Sequence, residues 1–177
     1  MLRASMTIFV FSFLLGGCAV SVPEDSQLAS GSNSSFRHTE TTSASRAAVW
    51  HLWTTPSTWP TWEHTLKEAS LEAPMAEGVR GWLTPADGPS SRFRITEYVE
   101  GQRYTFETSL PLGKLRIVRY FETDSNTTTF THEVSFRGFS AFIFSGLYGP
   151  RFREALPIVM RQLAEVAELS EQKLEHR

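Results

Sequence analysis

The stretch Ser91-Arg-Phe-Arg-Ile95-Thr-Glu-Tyr-Val-Glu100-Gly-Gln-Arg-Tyr-Thr105-Phe-Glu-Thr-Ser109 alternates apolar and polar residues on both sides of Glu100-Gly101. Side chains two apart share one face of a strand, so these residues read as strands at 91–99 and 102–109 joined by a tight turn. Working outward, turn signals recur at Glu77-Gly78, Asp87-Gly88-Pro89, Leu112-Gly113 and Asp124-Ser-Asn126. Between them the period stays near two, which predicts six strands at 65–74, 79–84, 91–99, 102–109, 114–123 and 127–137. Consecutive strands with short turns pair as hairpins, so the middle of the chain is expected to be an antiparallel meander.

The flanks follow a different period. Phe36 to Thr42 is β-leaning and adds a seventh strand, after which Ser45 is placed to cap a short helix from Arg46 to Trp53. In Thr55-Pro56-Ser-Thr-Trp59-Pro-Thr-Trp62 a second short helix is expected, with Thr55 as cap, Pro56 at its first position and Trp59 and Trp62 on one face. From about Ala141 the apolar residues Phe142, Ile143, Leu147, Phe152, Leu156, Val159, Met160, Leu163, Val166, Ala167 and Leu174 recur at three and four. That spacing predicts a long C-terminal helix, interrupted early by Gly146, Gly149 and Pro150 and kinked at Pro157. The fold class is α+β, a curved antiparallel sheet of about seven strands closed by that helix.

The first 17 residues read as an export signal. Arg3 and the amino terminus supply positive charge, Met6 to Leu15 an apolar run, and Gly16-Gly17-Cys18 a small-residue cleavage site. A ten-residue apolar run spans only about 15 Å as a helix, half of a bilayer's hydrocarbon core. Leu15-Gly16-Gly17-Cys18 resembles the lipobox of bacterial lipoproteins, and Cys18 is the single cysteine of the chain. Cleavage before Cys18 and its lipidation are therefore expected; the alternative, an ordinary secretory signal cut near Ala19, discards the cysteine. By resemblance to lipoprotein sorting, Ala19 after the cysteine implies the outer membrane, facing the periplasm. Residues 18–35, rich in Ser, Gly and Asn, read as a flexible linker, which leaves 36–177 as one folded domain.

Composition excludes several functions. A formal net charge of -2 gives no basic patch for nucleic acid. Histidines at 38, 51, 64, 132 and 176 lack close ligand spacing, so no metal is expected. No Gly-x-Ser-x-Gly, phosphate-cradling loop or dinucleotide fingerprint occurs, and no cofactor is expected.

The order of strand, paired short helices, meander and long helix, together with particular residues, resembles a known superfamily. Those residues are Ala44-Ser-Arg-Ala-Ala-Val-Trp50, Trp59-Pro60-Thr-Trp62, Glu77-Gly78-Val79-Arg80-Gly81, Ile95-Thr-Glu-Tyr-Val-Glu-Gly101, Thr131-His-Glu-Val-Ser-Phe-Arg-Gly138 and Arg161-Gln-Leu-Ala-Glu165. They resemble the START-like, helix-grip proteins, in the SRPBCC or polyketide cyclase/dehydrase-like branch, over Phe36 to Glu168. The resemblance implies a sheet wrapped around a long helix, with a cavity between them that in relatives holds lipids, sterols or polyketides. It does not imply a single activity.

Strand alternation nominates the inward residues. Glu97 falls with Phe93 and Ile95, Arg119 with Ile117, and His132 with Phe130 and Val134, and Phe106 adds to them from strand 102–109. Buried charges must be paired or neutralised, so Glu97, Arg119 and His132 are candidates for a polar cluster holding a ligand head, or for acid–base chemistry if they converge. The alternative is a bulge that turns one of them outward. Trp50, Trp53, Trp59 and Trp82 are expected in the core, with Trp62 near the cavity entrance by family resemblance. Phe139 to Tyr148 reads either as helix buried on the sheet or as an exposed segment touching membrane or ligand. The first functional expectation is a non-catalytic protein that binds a small hydrophobic ligand and is anchored to a membrane at Cys18. The others are a polyketide cyclase/dehydrase-like enzyme using Glu97, Arg119 and His132, and an interaction or scaffolding domain. Cavity volume separates the last of these from the first two: less than about 300 Å3 enclosed would count heavily against ligand binding.

Overall fold

A computed structural model describes residues 35–122 and 127–175. The expected signal, Cys18 and the linker up to residue 34 lie outside the described residues, as does the turn at 124–126. The chain runs β1 (Ser35–Thr42), α1 (Arg46–Thr54), a 3-10 helix (Pro56–Thr61), β2 (Leu66–Leu71), β3 (Arg80–Pro85), β4 (Ser91–Val99), β5 (Arg103–Leu110), β6 (Gly113–Phe121), β7 (Thr128–Gly138) and α2 (Ala141–Glu175). One antiparallel sheet holds all seven strands in the order β1-β7-β6-β5-β4-β3-β2. The meander is the one expected, and β1 returns to pair with β7, Phe36 opposite Val134.

Core formation follows the alternation. Phe93, Ile95, Phe106, Ile117, Phe130 and Val134 are buried on the inner face of the sheet. Leu156, Val159, Met160, Leu163 and Ala167, spaced at three and four along α2, are buried with them. Two layers thus bury one stripe of helix on one face of sheet. The turn between β1 and α1 is tied to the far half of α2. Glu168 accepts the Thr42 hydroxyl at 2.7 Å and the Ser43 N–H at 3.0 Å. Glu171 accepts the Ser45 N–H at 3.0 Å and the Ser45 hydroxyl.

Local expectations meet mixed outcomes. Ser45 caps α1 by accepting the Ala48 N–H at 3.2 Å. Thr55 does not cap the next helix through its side chain, which lies instead 3.5 Å from His51 Nδ1. That helix is 3-10 rather than α, a form suited to a short proline-containing segment. Nor do Gly146, Gly149, Pro150 and Pro157 interrupt α2, which is continuous from Ala141 to Glu175. The two prolines leave the carbonyls of Gly146 and Arg153 without their usual helix donors, but both residues are exposed to solvent, so the helix continues without burying an unpaired carbonyl there.

Candidate functional site

Between the inner face of the sheet and the first half of α2 lies a cavity of about 250 Å3. Phe106, Ile117 and Val134 form its apolar wall, and Leu156 and Val159 of α2 cover it. Its mouth opens between the β3–β4 connection and α2, where Arg151 Nη2 sits 3.7 Å from Asp87 Oδ2. The volume falls below the roughly 300 Å3 at which pockets for drug-sized ligands begin. By the criterion set from the sequence, that volume counts against a ligand wholly enclosed here; it leaves room for a small group, or for one part of a longer amphiphile whose remainder emerges at the mouth.

The inner end of the cavity is polar. Arg119 on β6 is 2% exposed and stands directly across from His132 on β7, which is 3% exposed. Arg119 Nη1 donates to the Tyr104 hydroxyl at 2.7 Å, and that hydroxyl donates onward to the Trp53 carbonyl at 2.8 Å. Trp59 Nε1 also donates to the Trp53 carbonyl, at 3.0 Å, so one carbonyl near the end of α1 orients both residues. The guanidinium lies 4.6 Å from the Trp59 ring centroid, 4.9 Å from Trp62 and 5.5 Å from Phe106. This aromatic cage favours a cation, yet no carboxylate among the described residues comes within 4 Å of it. Arg119 Nε, both ring nitrogens of His132 and the Thr108 hydroxyl are buried without a hydrogen-bond partner among the described residues. All three residues line the cavity, and orphaned polar atoms of this kind are costly unless a ligand serves them.

Protonation follows from burial. Desolvation, reinforced by the Arg119 charge, holds the His132 imidazole well below its ordinary range, so it is neutral and can both donate and accept. Glu63 also lines the cavity, and burial pushes its carboxyl up against the opposing pull of the Thr65 hydroxyl and the Arg119 charge. The Thr65 hydroxyl donates to Glu63 Oε1 at 2.6 Å. Tyr104 is pushed up to about 12, again by burial, and remains a phenol.

Of the residues nominated from sequence, Phe106, Ile117, Arg119, His132 and Val134 line the cavity. Phe93, Ile95 and Phe130 are buried in the core around it. Trp62 is buried and packs on Arg119 from behind; it is not at an entrance. Glu97 does not converge with Arg119 and His132. The β4–β5 register shifts between Ile95 and Glu97, so Ile95 pairs with Phe106 and Glu97 with Thr105. That bulge turns Glu97 to the outer face, where it meets Arg103 at 2.7 Å and the Thr105 hydroxyl at 3.0 Å. Trp82 is exposed beneath Arg92, outside the core. The buried carboxylate lining the cavity is Glu63, which the sequence reading missed; Asp87 lines only its exposed mouth. Its one signal was a spacing of four from Trp59, and the Glu63 N–H does bond the Trp59 carbonyl at 2.7 Å. Among the described residues no His, Cys, Asp and Glu cluster has a metal-binding arrangement.

Residues 34–168 match a family model described as polyketide cyclase / dehydrase and lipid transport. No match is found among curated proteins. Among solved structures the chain is similar to a protein from Nitrosomonas europaea, at 12% identity and a TM-score of 0.64 over 80% of this chain and 98% of that one. It is similar to a putative protein of the dynemicin biosynthetic locus at 20% identity and a TM-score of 0.59, covering 76% of this chain and 47% of the other. A major latex-like protein from Panax ginseng aligns at 14% identity and a TM-score of 0.57, over 74% of this chain and 95% of that one. Likeness at these identities carries the helix-grip fold and nothing more. With the family model spanning the whole sheet and most of the closing helix, this chain belongs to the polyketide cyclase / dehydrase and lipid transport family.

Proposed function

We propose that this chain binds a small amphipathic molecule, apolar along its body and anionic or strongly hydrogen-bond accepting at its head, and does so at the cell envelope. The observation that carries this reading is the buried Arg119 guanidinium, which faces the cavity with no carboxylate within 4 Å among the described residues. A carboxylate or enolate oxygen at the inner end would accept from Arg119 Nε and from His132, charge-assisted bonds that roughly double the strength of neutral ones. The apolar wall of Phe106, Ile117 and Val134 would take the ligand's body. Cys18 in its lipobox supports lipidation and anchoring to the outer membrane, facing the periplasm. The decisive experiment is native mass spectrometry with solvent extraction of the chain purified from its own host. Wild type should carry a reproducible apolar acid that Arg119→Met lacks, whereas protein that is repeatedly empty would rule this reading out. Cys18→Ser should move the chain from the membrane to the soluble fraction.

A second reading, an acid–base enzyme on a polyketide-like substrate, is favoured by one observation. Glu63 and His132 line the same cavity with their protonation pushed in opposite directions, the carboxyl toward its acid form and the imidazole toward its base form. Turnover of an extracted ligand, lost in Glu63→Gln and His132→Gln, would favour it over binding alone.

A further inference from the structure

The opening turns of α2 are apolar on both sides. Toward the sheet they set small buried residues, Ser140, Ser145 and Gly149, beside Ala141, Phe144 and Phe152, which are partly buried against the core. Phe142, Ile143 and Leu147 point outward and are 75%, 54% and 65% exposed. Phe139 precedes them in the same stripe, since 139, 142, 143 and 147 recur at three and four. The β5–β6 hairpin extends the patch with Leu112, an exposed apolar side chain in the left-handed backbone region at φ 56°. Its carbonyl accepts the Ser140 N–H at 3.4 Å, which joins hairpin and helix. So large an outward apolar stripe, beside a helix that becomes conventional from Leu156 onward, implies something covers it.

Three observations identify the occupant. First, the 20 residues from Val134 to Arg153 contain Arg137, Arg151 and Arg153 and no Asp or Glu. Lys114, the cross-strand partner of Arg137, is paired with Glu107 at 2.8 Å and Arg151 lies 3.7 Å from Asp87, whereas Arg137 and Arg153 have no carboxylate within 4 Å among the described residues. An apolar stripe rimmed by cations matches an anionic headgroup layer. Second, the chain enters the domain beside the patch: Ser35 pairs with Ser135, and the Phe36 ring packs on Gly149, where a Cβ would come within 2.5 Å. Only sixteen residues separate Cys18 from Ser35, and they reach at most about 55 Å when fully extended. Third, Tyr148 stacks on Phe144 at 6.1 Å and lines the cavity mouth, so apolar surface continues from patch to cavity.

We propose that the first turns of α2 and the β5–β6 hairpin form a membrane-docking face that seats on an anionic bilayer and lets the amphipathic ligand pass between bilayer and cavity. Passage of ligand rests on the binding function proposed above; docking rests on the exposed stripe and its cations, and only the tether argument rests on the proposed anchoring at Cys18. The test is flotation with vesicles of phosphatidylethanolamine and phosphatidylglycerol, using the chain from Ala19, which keeps every described residue and lacks the acylation site. The parent chain should float. Phe142→Ser with Leu147→Ser should lower partitioning at least about tenfold, given the apolar area withdrawn from lipid. Arg137→Gln should lower it about fivefold, and added salt should act in the same direction. These positions are exposed, so an unchanged melting curve separates lost docking from lost folding. A parent chain that stays with the pellet-free solution, or a double variant that floats undiminished, overturns the proposal. A concentration-dependent dimer abolished by the double variant overturns it as well, by assigning the patch to a second copy. A chain that floats but purifies empty leaves docking standing and removes only the ligand.

Discussion

The Tyr104 hydroxyl stands between Arg119 and the end of α1, accepting from Arg119 Nη1 at 2.7 Å and donating to the Trp53 carbonyl at 2.8 Å. Tyr104 and Arg119 are cross-strand partners of β5 and β6, so the sheet register itself brings the phenol under the guanidinium. Tyr104→Phe keeps the ring and deletes the relay, leaving Arg119 Nη1 buried without an acceptor. A loss of about 1–3 kcal/mol in urea unfolding is expected. Arg119→Met removes the buried cation along with its need for partners. Its stability should stay level or rise by about 1–4 kcal/mol while ligand retention is lost. A variant both less stable and still loaded would contradict this account.

Acid and base should move stability in opposite senses through two cavity residues. His132 is held neutral in the fold well below its ordinary 6.5, so below that pH the unfolded chain binds the extra proton. The stability it contributes is present above pH 6.5 and declines as pH falls, a slope that His132→Leu should flatten. Glu63 is raised above 4.5 in the fold, so there the folded chain holds the extra proton. Its contribution is present below pH 4.5 and is lost as pH rises through the folded value. Glu63→Gln keeps an acceptor for Thr65 and should be more stable than wild type at neutral pH. Unfolding midpoints across a pH series read both.

Because the bulge at Thr96 places Glu97 on the outer face, its ion pair with Arg103 is partly solvated. Glu97→Ala should cost no more than about 1 kcal/mol and leave ligand retention unchanged. Loss of ligand in that variant would overturn the outward placement of Glu97.

Gly149 lets α2 settle on β1. A Cβ there would meet Phe36 Cζ at 2.5 Å, and the ring is already held beneath Arg153 at 5.1 Å. Gly149→Ala should therefore destabilise by about 1–3 kcal/mol through overpacking, despite alanine's better helix propensity. Thermal unfolding beside Gly146→Ala, where a Cβ meets open space, isolates the steric effect.

Local physics made much of this protein legible in its sequence. Period-two alternation around Glu100-Gly101 located the hairpins, Ser45 declared the start of α1, and the spacing from Leu156 to Ala167 announced the buried face of α2. Arg119 and His132 were legible too, as charged or titratable residues on apolar faces. Tertiary structure alone decided where alternation broke and what each face met. One unpaired residue in β4 sent Glu97 outward, because a single-residue shift inverts every side chain beyond it. Glu63 came to the cavity through the path of the chain after a 3-10 helix, which no periodicity describes. The apolar stripe of Phe142, Ile143 and Leu147 has the spacing of a core face yet looks away from the sheet. Spacing states that a helix has an apolar side; only the packing of α2 over β1 and β7, with Gly149 as the point of close approach, determines which way that side points.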